Sequence, residues 1–259
     1  MRSHATPKIV VAVMAKAPIP GEAKTRLGAE IGSGMAAMVY RAFLLDTLDV
    51  IDAAGSVLGL VGRLLVAPNA RHADQLRLLA GDAWLIVTQS RSGLMGGIAD
   101  AFDAGFARGA DVVAVADADS PLALRECLAD CLAVAREHDV GLGPTADGGY
   151  YLITARAEAR RHLAELLLGV AFDSATIAAA TVERARRLGL TVGLGPAGFD
   201  VDTRSDLLDL AARLDALPIG ILGRSQKAIA RTNDLGRASA NGHAERALPF
   251  DPAAAPPLP

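Results

Sequence analysis

From residue 8 to about residue 215 the chain alternates short apolar runs with longer stretches in which Ala and Leu recur at helical spacing. The short runs, at 8–14, 62–67, 84–88, 111–116, 139–143, 149–154 and 190–194, predict strands. Most are continuous, as in Asp111-Val112-Val113-Ala114-Val115-Ala116, without the polar alternation of a strand that has one wet face. Continuous apolar strands suit a parallel sheet covered by helices on both sides. The longer stretches predict helices at 33–53, 71–80, 95–108, 121–137, 156–168, 174–188 and 203–215. The alternation predicts βαβ units, and so an α/β protein: a single-domain three-layer α/β/α sandwich on a mostly parallel central sheet.

The periodicity fades at Pro218. Residues 8–217 read as one domain, without internal repeat or interdomain linker, and 218–232 as one further short helix. Residues 1–7 read as a flexible N-terminus, and 233–259, rich in Ala, Pro and polar residues, as a disordered tail that cannot build a core.

Composition narrows the function classes. With 259 residues and 51% apolar side chains the chain can bury a full core. Lys plus Arg is 26 and Asp plus Glu is 29, a net charge of −3 that argues against a nucleic-acid partner. Cys127 and Cys131 are too few for a disulfide framework, and their spacing places them on one helix face as small buried hydrophobes. No segment approaches the roughly 20 apolar residues that span a bilayer. Lys16 directly follows the first apolar run, where a secretory signal would carry a small-residue cleavage site. The expectation is a cytoplasmic protein with no membrane partner; the oligomeric state is not encoded in any recognisable pattern.

The first predicted strand runs into Ala15-Lys16-Ala17-Pro18-Ile19-Pro20-Gly21-Glu22-Ala23-Lys24-Thr25-Arg26-Leu27. Two prolines and a glycine make this a shaped loop, at the carboxyl end of a strand where open α/β sheets bind ligands. Three cations stand against one carboxylate, which suits phosphate: Arg as a bidentate donor, Lys as a point charge. Ala15, Lys16, Pro20, Gly21, Lys24, Thr25 and Arg26 are its candidate nucleotide-binding positions. The composition equally suits a solvated basic loop, and the spacing is neither that of a P-loop nor of a dinucleotide fingerprint.

Three acidic features accompany it. Strand 111–116 runs into Asp117-Ala118-Asp119-Ser120-Pro121, which places an Asp-x-Asp at the same sheet edge. Hard oxygen ligands there suit Mg²⁺ or Mn²⁺ held together with substrate phosphates. Ser120 also fits a helix cap with Pro121 at the first helical position. Asp200 and Asp202 lie two apart, ahead of Thr203 and Asp206, which fit a capping box. Asp147-Gly148-Gly149-Tyr150 reads as a hairpin turn, and its glycines allow close approach of backbone to a ligand beside Asp147. The five histidines, at 4, 72, 138, 162 and 243, are scattered and indicate neither a His metal site nor a His base. Ser120 has no evident histidine partner, so a hydrolase triad is not indicated.

Together these pieces resemble the DUF2064 group of the nucleotide-diphospho-sugar transferase superfamily, which has the GT-A fold and whose members are often named glycosyltransferases. The resemblance rests on Lys16 to Leu27, Asp119-Ser120-Pro121, Asp147 to Leu152 and Asp200-Val201-Asp202-Thr203, in that order over about residues 8–215. Similar layouts occur in molybdenum-cofactor and 2-phospholactate nucleotidyltransferases. One stretch departs from the group: its Leu-Gly-x-Arg pattern is matched here by Leu94-Met95-Gly96-Gly97, so that Met95 and Gly97 replace the Gly and the Arg. Arg91 stands just upstream as a possible substitute.

The resemblance implies a nucleotide and a small-molecule acceptor as partners, Mg²⁺ or Mn²⁺ on Asp119, Asp202 and Asp200, and phosphate contacts from the first loop with Ser120, Gly148 and Gly149 beside it. Lys24, Arg26 and Asp147 are the expected catalytic residues. Two reactions fit. In nucleotidyl transfer an NMP passes from an NTP to a small phosphorylated acceptor and pyrophosphate leaves. In glycosyl transfer a nucleotide-diphospho-sugar is the donor and Asp147 accepts the proton of the acceptor hydroxyl. Three loop cations against the roughly fourfold charge of a triphosphate favour the first. A non-catalytic nucleotide-binding protein, suggested by the loss at Gly97, is the third reading.

Overall fold

In the first strand, β1 (Ile9–Met14), alternate side chains enter two different cores. Ile9, Val11 and Val13 pack on one side of the sheet with Leu44, Leu48 and Ile51 of α2 (Ser33–Leu58) and Leu124 and Leu128 of α5 (Pro121–Glu137). Val10 and Ala12 pack on the other with Ile98 and Phe102 of α4 (Gly93–Phe106) and Leu163 and Leu166 of α6 (Arg160–Leu168). A strand with a core on each face has no position left for a polar side chain, which explains the continuous apolar runs. The computed structural model describes residues 6–168, 176–218 and 220–240, the last eight of these by backbone alone.

The seven-stranded sheet has the order β3-β2-β1-β4-β6-β5-β7, with β2 Leu60–Ala67, β3 Leu85–Thr88, β4 Val112–Asp117, β5 Val140–Pro144, β6 Tyr150–Arg156 and β7 Val192–Leu194. Every pairing is parallel except those of β6, which runs antiparallel to both β4 and β5. The three-layer sandwich with a mostly parallel sheet is therefore the observed fold. The chain leaves β1 toward β2 on one side, while β4 pairs with β1 on the other, so their carboxyl ends meet at a switch in strand order. Met14 is aligned with Asp117 there, which brings the first loop and the Asp-x-Asp together at the position where such sheets bind ligands.

Several expected boundaries shift; α2, expected to end at residue 53, runs to Leu58, and β7 is shorter than expected. The first loop ends sooner than its prolines suggested, because α1 (Thr25–Ile31) begins inside it and buries Leu27 against Phe43. At the other end α8 (Arg204–Asp215) is followed by α9 (Gly223–Ala240), which extends eight residues into the segment expected to be disordered. Residues 1–5 and 241–259 lie outside the described residues. Burial of Ala228 and Ile229 with Phe43 and Leu214 docks α9, and its start is fixed by Asp46 on α2. That buried carboxylate accepts from the Ser225 backbone N–H (2.8 Å) and hydroxyl (2.6 Å), with Arg224 alongside.

The first loop is pinned from α3 (Ala70–Ala80). His72, 5% exposed, accepts the Ala17 N–H at Nδ1 (2.9 Å), so its proton lies on Nε2 facing Glu22 (3.1 Å), which also pairs with Arg71 (2.6 Å). Burial lowers the His72 pKa below 6.5; Arg71 and Lys16 act the same way and Glu22 opposes them. A lowered histidine pKa makes the unfolded chain the better proton acceptor, so the contribution of His72 is whole above about pH 6.5 and shrinks as the pH falls below it. The stability advantage of the wild type over His72→Ala is expected to narrow between about pH 7.5 and 5.5 in urea titrations, and a constant difference would contradict this anchoring. Asp46→Ala should cost about 2–3 kcal/mol in the same assay, because it strands two buried donors of Ser225; a loss below about 0.5 kcal/mol would contradict the docking of α9.

Candidate functional site

A cleft of about 700 Å³ opens at the carboxyl ends of β1, β2 and β4. Four cations (Lys16, Lys24, Arg26 and Arg91) and six carboxylates (Glu22, Asp117, Asp119, Asp147, Asp200 and Asp202) line it. All three acidic features thus meet the first loop in one site.

Lys24 lies at the centre. Its side chain is 3% exposed, and its ammonium sits 2.6 Å from Asp119 Oδ2 and 3.1 Å from Asp202 Oδ1. Burial acts against the charge, but Asp119 and Asp202 outweigh it and hold the lysine pKa well above its usual value. The residue has φ 48° and ψ 52°, a left-handed backbone uncommon outside glycine, held where α1 begins. The other oxygen of Asp202 meets the Arg26 guanidinium at 2.5 Å, and the Arg26 side chain is 71% exposed. Lys16 is exposed, with Nζ 3.2 Å from the Glu22 carbonyl. The cations expected to be open to phosphate are therefore divided: Lys24 is engaged, Arg26 is paired but accessible, and Lys16 has no carboxylate partner among the described residues.

Each carboxylate is set by its local chain. Asp117 accepts from the Ser120 backbone N–H (3.1 Å) and hydroxyl (2.9 Å) at the head of α5. This corrects the expected role of Ser120: its hydroxyl donates to Asp117, makes no capping bond, is 2% exposed and does not line the cleft. Burial and then Asp119 push the Asp117 carboxyl well above the usual carboxylate range. Asp202 is held through its backbone N–H, which donates to Asp206 Oδ2 (3.0 Å), and the expected capping box of Thr203 and Asp206 is formed. Asp200 lines the cleft beside it, its pKa pushed up to about 6 by burial, then by Asp202 and Asp147.

Asp147 occupies the turn between β5 and β6. Its Oδ1 accepts from the Gly149 N–H (3.0 Å) and the Thr145 hydroxyl (2.5 Å), and Oδ2 has no hydrogen bond among the described residues. Gly149 lines the cleft; Gly148, whose φ of 94° makes the turn, does not, and neither do Pro20 and Gly21. Ala15 and Thr25 do.

At the departure from the group pattern, Gly97 is buried in α4, and a Cβ there would stand 2.1 Å from Gln89 Nε2 and 2.6 Å from Met14 Cε. Gln89 and Met14 occupy the space an arginine would need. Arg91 does not replace it freely, because its guanidinium is divided between Asp100 (2.6 Å) and Asp103 (2.9 Å). Met95, at the expected Gly, lines the cleft and touches Tyr150, whose hydroxyl is 3.6 Å from Met95 Sδ.

Sequence reasoning missed the residues that hold the site from behind. Tyr40 of α2 is buried and accepts the Lys16 N–H (3.0 Å); burial and then Asp119 raise its pKa well above the usual phenol value. Asp100 accepts from the backbone N–H groups of Ser90 and Arg91 and so shapes the loop between β3 and α4. A lone carboxylate in the apolar run Gly96-Gly97-Ile98-Ala99-Asp100-Ala101-Phe102 was the available signal for it; Tyr40, inside an ordinary helical pattern, gave none.

Residues 47–174 match the family model described as "Uncharacterized protein conserved in bacteria (DUF2064)", a span that includes Asp119 and Asp147 but neither Lys24 nor Asp202. No curated protein matches the sequence. Among solved structures, the chain is similar to a protein of Desulfovibrio desulfuricans G20 described provisionally as a nucleotide-diphospho-sugar transferase, with 27% identity, TM-score 0.77, and coverage of 88% of this chain and 96% of that one. The 4-diphosphocytidyl-2C-methyl-D-erythritol synthase of Anaerococcus prevotii DSM 20548 shares the fold at 13% identity and TM-score 0.55, over 82% of this chain and all (100%) of that one. A nucleotidyl transferase of Methanothermobacter thermautotroptrophicus does so at 17% identity and TM-score 0.50, over 80% and 97%. Residues 47–174 are thus similar to the DUF2064 family, and the fold of the chain is that of the nucleotide-diphospho-sugar transferases.

Proposed function

We propose that the protein transfers a glycosyl group from a nucleotide-diphospho-sugar to an acceptor hydroxyl, assisted by Mg²⁺ or Mn²⁺. The observation that carries this reading is Asp147, which lines the cleft with Oδ1 held by Gly149 and Thr145 while Oδ2 has no hydrogen bond among the described residues. A carboxylate oxygen held open in this way suits a base for an acceptor hydroxyl, which glycosyl transfer needs and attack by an already ionised phosphate does not. The likeness to the D. desulfuricans protein supports the same reading.

The residues suit a divalent cation. Asp119 and Asp202 converge from separate segments on one position, and that position already holds a positive charge. Two protein carboxylates, completed by phosphate oxygens, are the usual protein share of an Mg²⁺ site. Among the described residues no group of three His, Cys, Asp or Glu side chains forms a cage on its own. Asp119 and Asp202 would hold the ion, with Asp200 beside them, and the ion would supply charge neutralisation to the departing diphosphate.

The chain's own residues do the rest. Lys16 and Arg26 bind the diphosphate and keep the donor in place, which is where most of the acceleration of such a transfer arises. Asp147, its Oδ1 fixed by Gly149 and Thr145, takes the acceptor proton on Oδ2. The acceptor oxygen forms the new bond to the anomeric carbon, the bond from that carbon to the diphosphate breaks, and a nucleoside diphosphate leaves. A second reading, NMP transfer from an NTP to a small phosphorylated acceptor, draws support from the exposure of Arg26 and Lys16, which leaves both able to meet a third phosphate.

The two readings release different products. With Mn²⁺ and a panel of nucleotide sugars, the expected outcome is release of nucleoside diphosphate from one donor class, and Asp147→Asn should lower kcat by about 100-fold or more with little change in donor KM. Pyrophosphate release from an NTP, with every nucleotide sugar left intact, would select nucleotidyl transfer instead. Tight nucleotide binding with neither product would support the non-catalytic reading.

A further inference from the structure

The cation that an Asp119–Asp202 metal site would receive is already present as a side chain. The Lys24 ammonium touches both carboxylates, is shielded from solvent, and is carried on a left-handed backbone at the junction of the first loop and α1. Arg26 holds the second oxygen of Asp202, so that carboxylate remains oriented when Lys24 departs. Tyr40, Asp117, Asp200 and Asp206 also act on this cluster, and three of the four are carboxyls. A divalent ion and an ammonium cannot share two carboxylates at contact distance, because their mutual repulsion in a partly desolvated site is large.

We propose that a divalent cation entering between Asp119 and Asp202 displaces the Lys24 ammonium, so that metal binding converts Lys24 from a carboxylate partner into a phosphate partner. This rests on the metal-assisted reading above and adds an order to it. Without metal the ammonium keeps the two carboxylates together and is itself hidden; with metal it becomes the loop's third cation, beside Lys16 and Arg26. Metal and nucleotide binding are then coupled through one side chain, since each occupant of the cleft is more favourable once Lys24 has moved.

Two measurements without nucleotide test this. Mn²⁺ binding is read from the free-ion EPR signal for the wild type and Lys24→Met. Relief from competition should make the variant bind Mn²⁺ at least about tenfold more tightly, as expected when a linked competing cation is removed. In parallel, wild-type protein is acylated with an amine-reactive ester with and without Mn²⁺, and each lysine is followed by mass spectrometry. Lys24 should be protected without metal and labelled several-fold faster with it, while Lys8 and Lys227 stay constant. Equal or weaker Mn²⁺ binding by the variant, or Lys24 labelling indifferent to saturating Mn²⁺, would overturn the displacement and leave the metal site standing. If neither protein binds Mn²⁺, alone or with a nucleoside diphosphate added, the metal-assisted reading falls and the displacement with it. Should Lys24→Met fail to fold by far-UV CD, the labelling of the wild type decides.

Discussion

A buried ammonium between two carboxylates organises this protein. An amine removed from water without partners would lose its charge or the fold, so Lys24 requires Asp119 and Asp202 where they are. Asp202 lies 178 residues further along the chain, and Asp119 at the end of a strand on the opposite side of the switch in strand order. One side chain therefore joins the first loop, the end of β4 and the segment entering α8. The other contacts of the region serve this junction. His72 and Tyr40 fix the loop that delivers Lys24, Ser120 occupies Asp117, and Asp206 grips the backbone of Asp202.

The same junction accounts for the left-handed conformation of Lys24. A non-glycine residue there costs of the order of 1–3 kcal/mol and persists only where the surroundings impose it. The two carboxylates and the start of α1 impose it here. The net charge of −3 for the whole chain conceals this: the cleft itself collects four cations and six carboxylates, so its electrostatics are strong although the total is nearly balanced.

The layers and the assembly of the site were legible in the sequence. Strands with a core on each face must be apolar throughout, so their positions could be read directly, and β1 and β4 fall within a residue of expectation. Lys24, Asp119, Asp147 and Asp202 were each marked by local composition and do share one cleft. Their pairing was not legible, because the contact of Lys24 with Asp119 depends on how strands β1 and β4 adjoin, and that with Asp202 on where α8 begins, rather than on either neighbourhood. That is why Lys24 was expected on phosphate and is found on carboxylates. The start of α1 at Thr25 was hidden by the prolines before it, and the length of α9 by a composition poor in apolar residues, whose apolar contacts with α2 and α8 are made at Ala228 and Ile229. Gly97 gained its meaning only from Gln89 and Met14, which fill the place where a guanidinium was expected.

The most direct test is a crystal structure grown with Mn²⁺ and the nucleoside diphosphate of the preferred donor, with the ion located by its anomalous signal. The predicted result is a single Mn²⁺ peak in contact with Asp119, Asp202 and the diphosphate, with Lys24 Nζ moved from the carboxylates to a phosphate oxygen. A diphosphate bound in the cleft with Lys24 still bridging Asp119 and Asp202, and no ion between them, would contradict it.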